Sequence, residues 1–159
     1  MSMYRIELDD LGRPEVLALI EEHLRNMHEI SPPENVFAFD ATKLKAPGVT
    51  FWSAWSGDTL VGCAALKELS PDAGELKSMR TPGRPRRTGA GRMLLNHIVE
   101  VARLRGYRTL YLETGSHPAF VPAQTLYRSA GFSVCGPFGH YSQNDFSVFM
   151  SLPLNPAAT

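Results

Sequence analysis

The chain has 159 residues, the size of one domain and long enough for one hydrophobic core. Hydrophobic residues make up 43% and charged residues 20%, which excludes disordered, collagen-like and coiled-coil chains. Sixteen Lys and Arg balance sixteen Asp and Glu, so no global field draws the protein to nucleic acid or to an anionic membrane, and any anion binding has to be local.

The N-terminal residues hold no basic segment followed by an apolar stretch, and no run approaches the ~18 apolar residues of a membrane span, so neither secretion nor membrane insertion is expected. Instead Tyr4, Ile6 and Leu8 alternate with Arg5 and Glu7, predicting a first strand over Met3–Leu8. From Pro14 onward Val16, Leu17, Ile20, Leu24 and Met27 recur at helical spacing, predicting an amphipathic helix that ends before Ser31-Pro32-Pro33. The stretch from Ile30 to Gly48 is rich in proline and reads as an irregular excursion or a short helix. Val49–Trp55 and Leu60–Leu66 form a predicted hairpin around Ser56-Gly57-Asp58-Thr59. Gly74–Thr81 is a further strand. Gly89–Arg105 is a helix with an apolar stripe of Leu94, Leu95, Ile98, Val101 and Ala102, stopped by Gly106. A strand over Tyr107–Glu113, a helix over Pro122–Ala130 closed by Gly131, and a last strand over Ser147–Leu152 complete the order. The expected fold class is α/β, a mixed sheet with helices on its faces, in a single domain over residues 1–153 followed by a flexible tail over 154–159.

Positive charge is concentrated in one place. Arg80, Arg84, Arg86, Arg87 and Arg92 lie in a stretch without an acidic residue, and Gly89-Ala90-Gly91 opens the long helix there. Small residues leave the first helical N–H groups open, so backbone donors, the positive end of the helix dipole and guanidinium groups converge as a diphosphate requires. The alternative is a plain glycine turn beside a solvated arginine face. Neither GxxxxGK[ST] nor GxGxxG is present, since Leu94 stands where a third glycine would be.

The pattern R-x-x-G-x-G, spelled Arg86-Arg87-Thr88-Gly89-Ala90-Gly91 after the strand Glu75–Thr81, resembles the GNAT N-acetyltransferase superfamily. The resemblance extends through Ala102-Arg103, Gly106-Tyr107 and Leu112-Glu113-Thr114-Gly115 to the Y-x-x-x-G-F signature in Tyr127…Gly131-Phe132, and covers nearly the whole chain. Ser31-Pro32-Pro33-Glu34, Gly62–Glu68, Lys77–Thr81 and Ser147–Met150 are similar to the YsnE-like bacterial subgroup, which points to no particular substrate. The resemblance implies a mostly antiparallel central sheet and acetyl-CoA as cosubstrate. It further implies a pyrophosphate loop over Arg86–Arg92, with backbone donors at Arg87, Thr88, Gly89, Ala90 and Gly91. Met79, Arg80 and Thr81 would pair their backbone with the pantetheine arm, and an N–H there would polarise the thioester carbonyl.

Tyr127 matches the tyrosine that protonates the departing thiolate in many members; its other reading is a core tyrosine with a satisfied hydroxyl. Glu75 occupies the strand position where some members carry a glutamate general base, set against a strand-edge salt bridge, with Glu113 or a water chain as alternative bases. Phe120 departs from the pattern, standing where many relatives have an asparagine that touches the cofactor arm. The implied activity is acetyl transfer to a small-molecule or peptide amine by direct attack in a ternary complex. The rival readings are an acyl-CoA-binding sensor without turnover and, third, a nucleic-acid binder, which lacks interleaved aromatics and basic charge.

The remaining reactive residue types carry less. His23, His28, His97, His117 and His140 form no HExxH or carboxylate cluster, so no metal site is expected. Cys63 and Cys135 form no CxxC pair and read as small buried hydrophobes in a reducing, cytoplasmic setting. Trp52 and Trp55 fall on opposite strand faces, so at most one is expected in the core from that strand alone, leaving the other for a pocket or an interface. Phe138, Tyr141 and the segment around Phe37 and Phe39 are aromatic filler or the frame of an acceptor pocket. Exposed strand edges and the Phe146–Leu152 run are compatible with a homodimer.

Overall fold

The computed structural model describes residues 4–30, 32, 41–82 and 89–155. Along the chain these form β1 (Tyr4–Leu8), α1 (Pro14–Ile30), α2 (Ala41–Leu44), β2 (Val49–Ser56), β3 (Thr59–Ser70), β4 (Ala73–Arg80), α3 (Ala90–Leu104), β5 (Thr109–Gly115), α4 (Val121–Ser129), β6 (Ser133–Cys135) and β7 (Ser147–Pro153), with a 3-10 turn at Pro118–Phe120 leading into α4. Periodicity foretold the long elements. Within the proline-rich stretch read as an irregular excursion or a short helix lies α2, of four residues, whereas β6, of three, was missed because it completes no period that patterning can register.

The strands build one seven-stranded sheet in the order β1-β2-β3-β4-β5-β7-β6. Only β4 and β5 run parallel, as the α3 crossover between them demands, and every other neighbouring pair is antiparallel. The mixed, mostly antiparallel sheet implied by the sequence is therefore the fold. β2 turns into β3 through Gly57 and Asp58, with Gly57 at φ 59, the left-handed first position that a two-residue hairpin turn reserves for glycine.

The period of two sends Trp52, Ala54, Ala64 and Leu66 to the face where α3 packs through Leu94, Leu95, Ile98 and Ala102. Phe51, Trp55, Cys63 and Ala65 face the other side, against Val16, Leu19 and Ile20 of α1. The expectation of one core tryptophan is corrected: Trp52 is 5% and Trp55 3% exposed, because helices cover both faces at β2. Cys63 is in the core, where burial pushes its thiol up to about 12, whereas Cys135 on edge strand β6 is only half-buried.

Helices α3 and α4 end in the same way. Gly106 (φ 85) and Gly131 (φ 107) take the left-handed position, and the next residues, Tyr107 and Phe132, return their N–H groups to the carbonyls of Ala102 and Tyr127, both at 3.1 Å. That is a Schellman closure, and in α4 its apolar contact is the Tyr127 ring 6.0 Å from the Phe132 ring. The Y-x-x-x-G-F pattern is thus the sequence of a helix end that fixes where Tyr127 stands.

The feature that positions the site is in β4. Its ladder with β5 runs from Ala73↔Thr109 to Leu76↔Leu112 and stops, while β5 continues on β7 to Gly115↔Ser147. Opposite β3 the register advances two residues, Cys63 to Ala65, against three on β4, Lys77 to Arg80, and the irregularity includes Ser78 at φ 53. Such a bulge bends the strand, and beyond Leu76 β4 has no β5 partner among the described residues.

Candidate active site

A cavity of about 340 Å³ opens where β4 and β5 part. Residues 75–80 of β4 and 112–115 of β5 form its walls, His23, Met27 and Ile30 of α1 lie on one side, and Phe120, Ala123 and Tyr127 lie on the other. Glu75, Met79, Arg80 and Tyr127, singled out from sequence, all line it, together with Glu113.

Tyr127 is 7% exposed, and burial, with the charge of Glu113 adding, pushes its phenol up to about 12. It therefore stays protonated at neutral pH and carries its hydroxyl proton into the cavity wall. Glu113 behaves differently. Burial raises its carboxyl to about 7, while a hydrogen bond from Ser147 and the charge of Lys77 oppose the rise and Glu75 reinforces it. The Ser147 hydroxyl donates to Glu113 Oε2 at 2.8 Å. Near neutrality Glu113 exists in both protonation states, the condition for moving a proton in either direction.

Glu75 is 1% exposed and, among the described residues, engaged on one oxygen only. Lys77 Nζ donates to Oε2 at 3.2 Å and Tyr141 Oη donates to the same oxygen at 2.7 Å, while Lys77 also donates to Tyr141 Oη at 2.8 Å. Oε1 is buried without a hydrogen-bond partner among the described residues. Burial lowers the Lys77 ammonium, opposed by the adjacent Glu75, and raises the Tyr141 phenol, reinforced by the same carboxylate. Glu75 thus forms a buried salt bridge with Lys77 through Oε2, on the fourth of the sheet's seven strands rather than at a strand edge, and it lines the cavity.

Arg80 reaches Glu22 of α1 at 3.3 Å, and its Nε is buried without a partner among the described residues. Next to it, burial and then the Arg80 charge hold His23 down at about 4, so the imidazole is neutral. Among the described residues no group of histidine, cysteine and carboxylate could hold a metal.

The implied phosphate end lies at the start of α3. Gly89 is the N-cap at φ 82, and among the described residues no side chain caps it and a Cβ built there meets nothing within 4 Å. Ala90 is buried, and a Cβ on Gly91 would sit 3.4 Å from Leu126 and 3.9 Å from Thr81. Arg92 is hydrogen-bonded to the Ser129 hydroxyl of α4. Arg84, Arg86, Arg87 and Thr88 fall outside the described residues, as do Phe37 and Phe39.

Sequence reasoning missed Lys77 and Ser147, and placed Tyr141 among aromatics rather than on a carboxylate. Lys77 was detectable, being two residues from Glu75 and so on the same strand face. Tyr141 was not, because 66 residues separate it from Glu75. Phe120 also finds its reason: its ring lies on Gly115, so close that a Cβ there would stand 2.1 Å from a ring carbon.

The fold is that of the acyl-CoA N-acyltransferases. The crystal structure of a Klebsiella pneumoniae protein assigned to that class superposes with a TM-score of 0.77 at 29% identity, covering 96% of this chain and 99% of the other. The chain belongs to the acetyltransferase (GNAT) family, whose model matches residues 16–132. It is 50% identical to the uncharacterized N-acetyltransferase YsnE of Bacillus subtilis strain 168 over 149 residues, 94% of this chain and 99% of that one. A GNAT acetyltransferase from Elizabethkingia anophelis, crystallised with acetyl-CoA bound, shares the fold with a TM-score of 0.68 at 17% identity, covering 97% of this chain and 100% of the other.

Proposed function

We propose that this chain transfers the acetyl group of acetyl-CoA to a primary amine by direct attack in a ternary complex, with Tyr127 as acid and Glu113 as base. The observation that carries this reading is the meeting, in one cavity, of a phenol kept protonated, a carboxyl poised near neutrality and a β4 backbone that has parted from β5. The residues fit the cosubstrate. Gly89, Ala90, Gly91 and Arg92, with Arg86, Arg87 and Thr88, would hold the diphosphate at the positive end of α3. Met79, Arg80 and Thr81 would offer strand backbone to the pantetheine amides. When bound, acetyl-CoA supplies an activated acetyl thioester whose sulfur departs as a thiol.

The acceptor arrives as an ammonium and has no lone pair until it loses a proton. Glu113 accepts that proton while Ser147 holds its Oε2, and passes it to solvent. As the N–C bond forms and the C–S bond breaks, Tyr127 Oη gives its proton to the leaving sulfur. The phenolate then recovers a proton from the nitrogen, which sheds its second as it becomes an amide. One proton is released per acetyl group moved.

Calorimetric titration with acetyl-CoA tests the first half of this reading. Binding that is lost when Gly89→Val and Gly91→Val are combined supports it, and no binding by the unaltered protein overturns both the transferase and the acyl-CoA sensor. Thiol release with a panel of amines tests the second half. Tyr127→Phe is expected to bind acetyl-CoA as the parent does and to transfer it slowly.

A further inference from the structure

Resting on the acetyl-transfer reading, we propose that Lys77 and Tyr141 are positioning residues that clamp Glu75 through Oε2, and that Glu75 Oε1 is the anchor for the primary ammonium of the acceptor. The clamp joins buried Glu75 and Lys77 to half-buried Tyr141 by contacts of 2.7, 2.8 and 3.2 Å, and both donors that reach Glu75 converge on the same oxygen. A buried carboxylate oxygen left without a donor is expensive, so its partner is to be sought in what the cavity admits. That partner is a donor, since an ionised carboxylate only accepts, and a primary ammonium brings three N–H groups.

The geometry of Tyr141 argues for precision rather than filler. Its ring lies 5.0 Å from Phe138, 5.5 Å from Phe149 and 4.9 Å from His140, which restrains the hydroxyl from three directions. Lys77 and Tyr141 hold Glu75 by Oε2, which leaves Oε1 to face the ammonium. Glu113, on the neighbouring strand and the same sheet face, is left to take the proton. The two carboxylates thereby divide the work: one orients, the other moves the proton. The segment between β6 and β7 becomes part of the acceptor site through one hydroxyl.

A clamp that only held this segment to the sheet would affect every ligand alike. The test therefore compares phenethylammonium chloride with 2-phenylethanol, its neutral counterpart of nearly the same shape, by calorimetry on the protein with and without saturating CoA. Acetyl-CoA is titrated separately into each variant. The parent is expected to prefer the ammonium, and Glu75→Gln to abolish the preference. Tyr141→Phe should weaken the ammonium about tenfold while leaving the alcohol within about twofold. Equal weakening of both probes in Tyr141→Phe, an unchanged preference, or no preference in the parent overturns the proposal. An ammonium preference that follows Glu75 and Tyr141 in a protein that does not bind acetyl-CoA sustains the anchor and overturns the transfer reading instead.

Discussion

Phe51, Trp55, Cys63 and Ala65 on β2 and β3 point to the same side of the sheet as Glu75, Lys77, Glu113 and Ser147 on β4, β5 and β7. The first group is sealed beneath α1 and α2 by Leu11, Val16, Leu19, Ile20 and Leu44. The second shares its face with Tyr111 and Phe149 and is met by the segment bearing Phe138 and Tyr141. A helix satisfies its own backbone and can present a purely apolar face, so the strands under it are free to be apolar too. A strand beside a cavity, met by an irregular segment, can keep ionisable groups because water, ligand or one another satisfy them. One sheet face thus serves as core at one end and as chemistry at the other.

The contrast can be broken from either end. The largest expected effect is on the dry side, where Ile20→Ala should lower unfolding free energy by about 2–5 kcal/mol in a denaturant titration. The apparent pKa of Glu113, followed by carboxyl NMR, should stay in place. Next comes Tyr127→Phe, expected to reduce the transfer rate constant about a hundredfold with acetyl-CoA affinity held. Glu113→Gln should cost a similar or smaller factor and remove the rise of transfer with pH through about 7. It should also sharpen the contrast in stability. A carboxyl raised from 4.5 to about 7 by folding binds its proton more tightly in the native state, so the parent loses stability as pH climbs across that window. Glu113→Gln should therefore melt higher than the parent above pH 7 and gain little near pH 4.5, by calorimetric scans. The smallest effect is expected at the helix end under Tyr127. Gly131→Ala forces a Cβ into φ 107 and to 3.1 Å from Leu152, at a cost of about 1–2 kcal/mol in thermal unfolding.

Much of the fold was legible because its elements are long enough to show their period. The apolar stripes of α1 and α3, the alternation of β1 and the glycine turn between β2 and β3 are local facts. The end of α4 is local too: Tyr127, Gly131 and Phe132 lie within one turn and a half, and their hydrogen bonds close within the same segment. Glu75 and Tyr127 were legible as a pair of candidates for the same reason, each belonging to a short pattern. Leu19 was overlooked in α1, although it is as buried as Ile20, because the apolar arc there is wider than the stripe of recurring residues suggested.

Amino-acid order by itself determined the family and the order of the long strands and helices, and it singled out Glu75, Glu113 and Tyr127 as candidates for proton transfer. It could not say that both tryptophans are core, since that requires knowing which faces are covered. It could not say that Glu75 is half engaged and Glu113 poised near neutrality, because both depend on how many donors and charges the remaining chain brings within a few ångströms. Ser147 lies 34 residues beyond Glu113 and Tyr141 lies 64 beyond Lys77. Burial and proximity set the protonation state of a carboxyl, and both are properties of the folded chain rather than of any stretch within it.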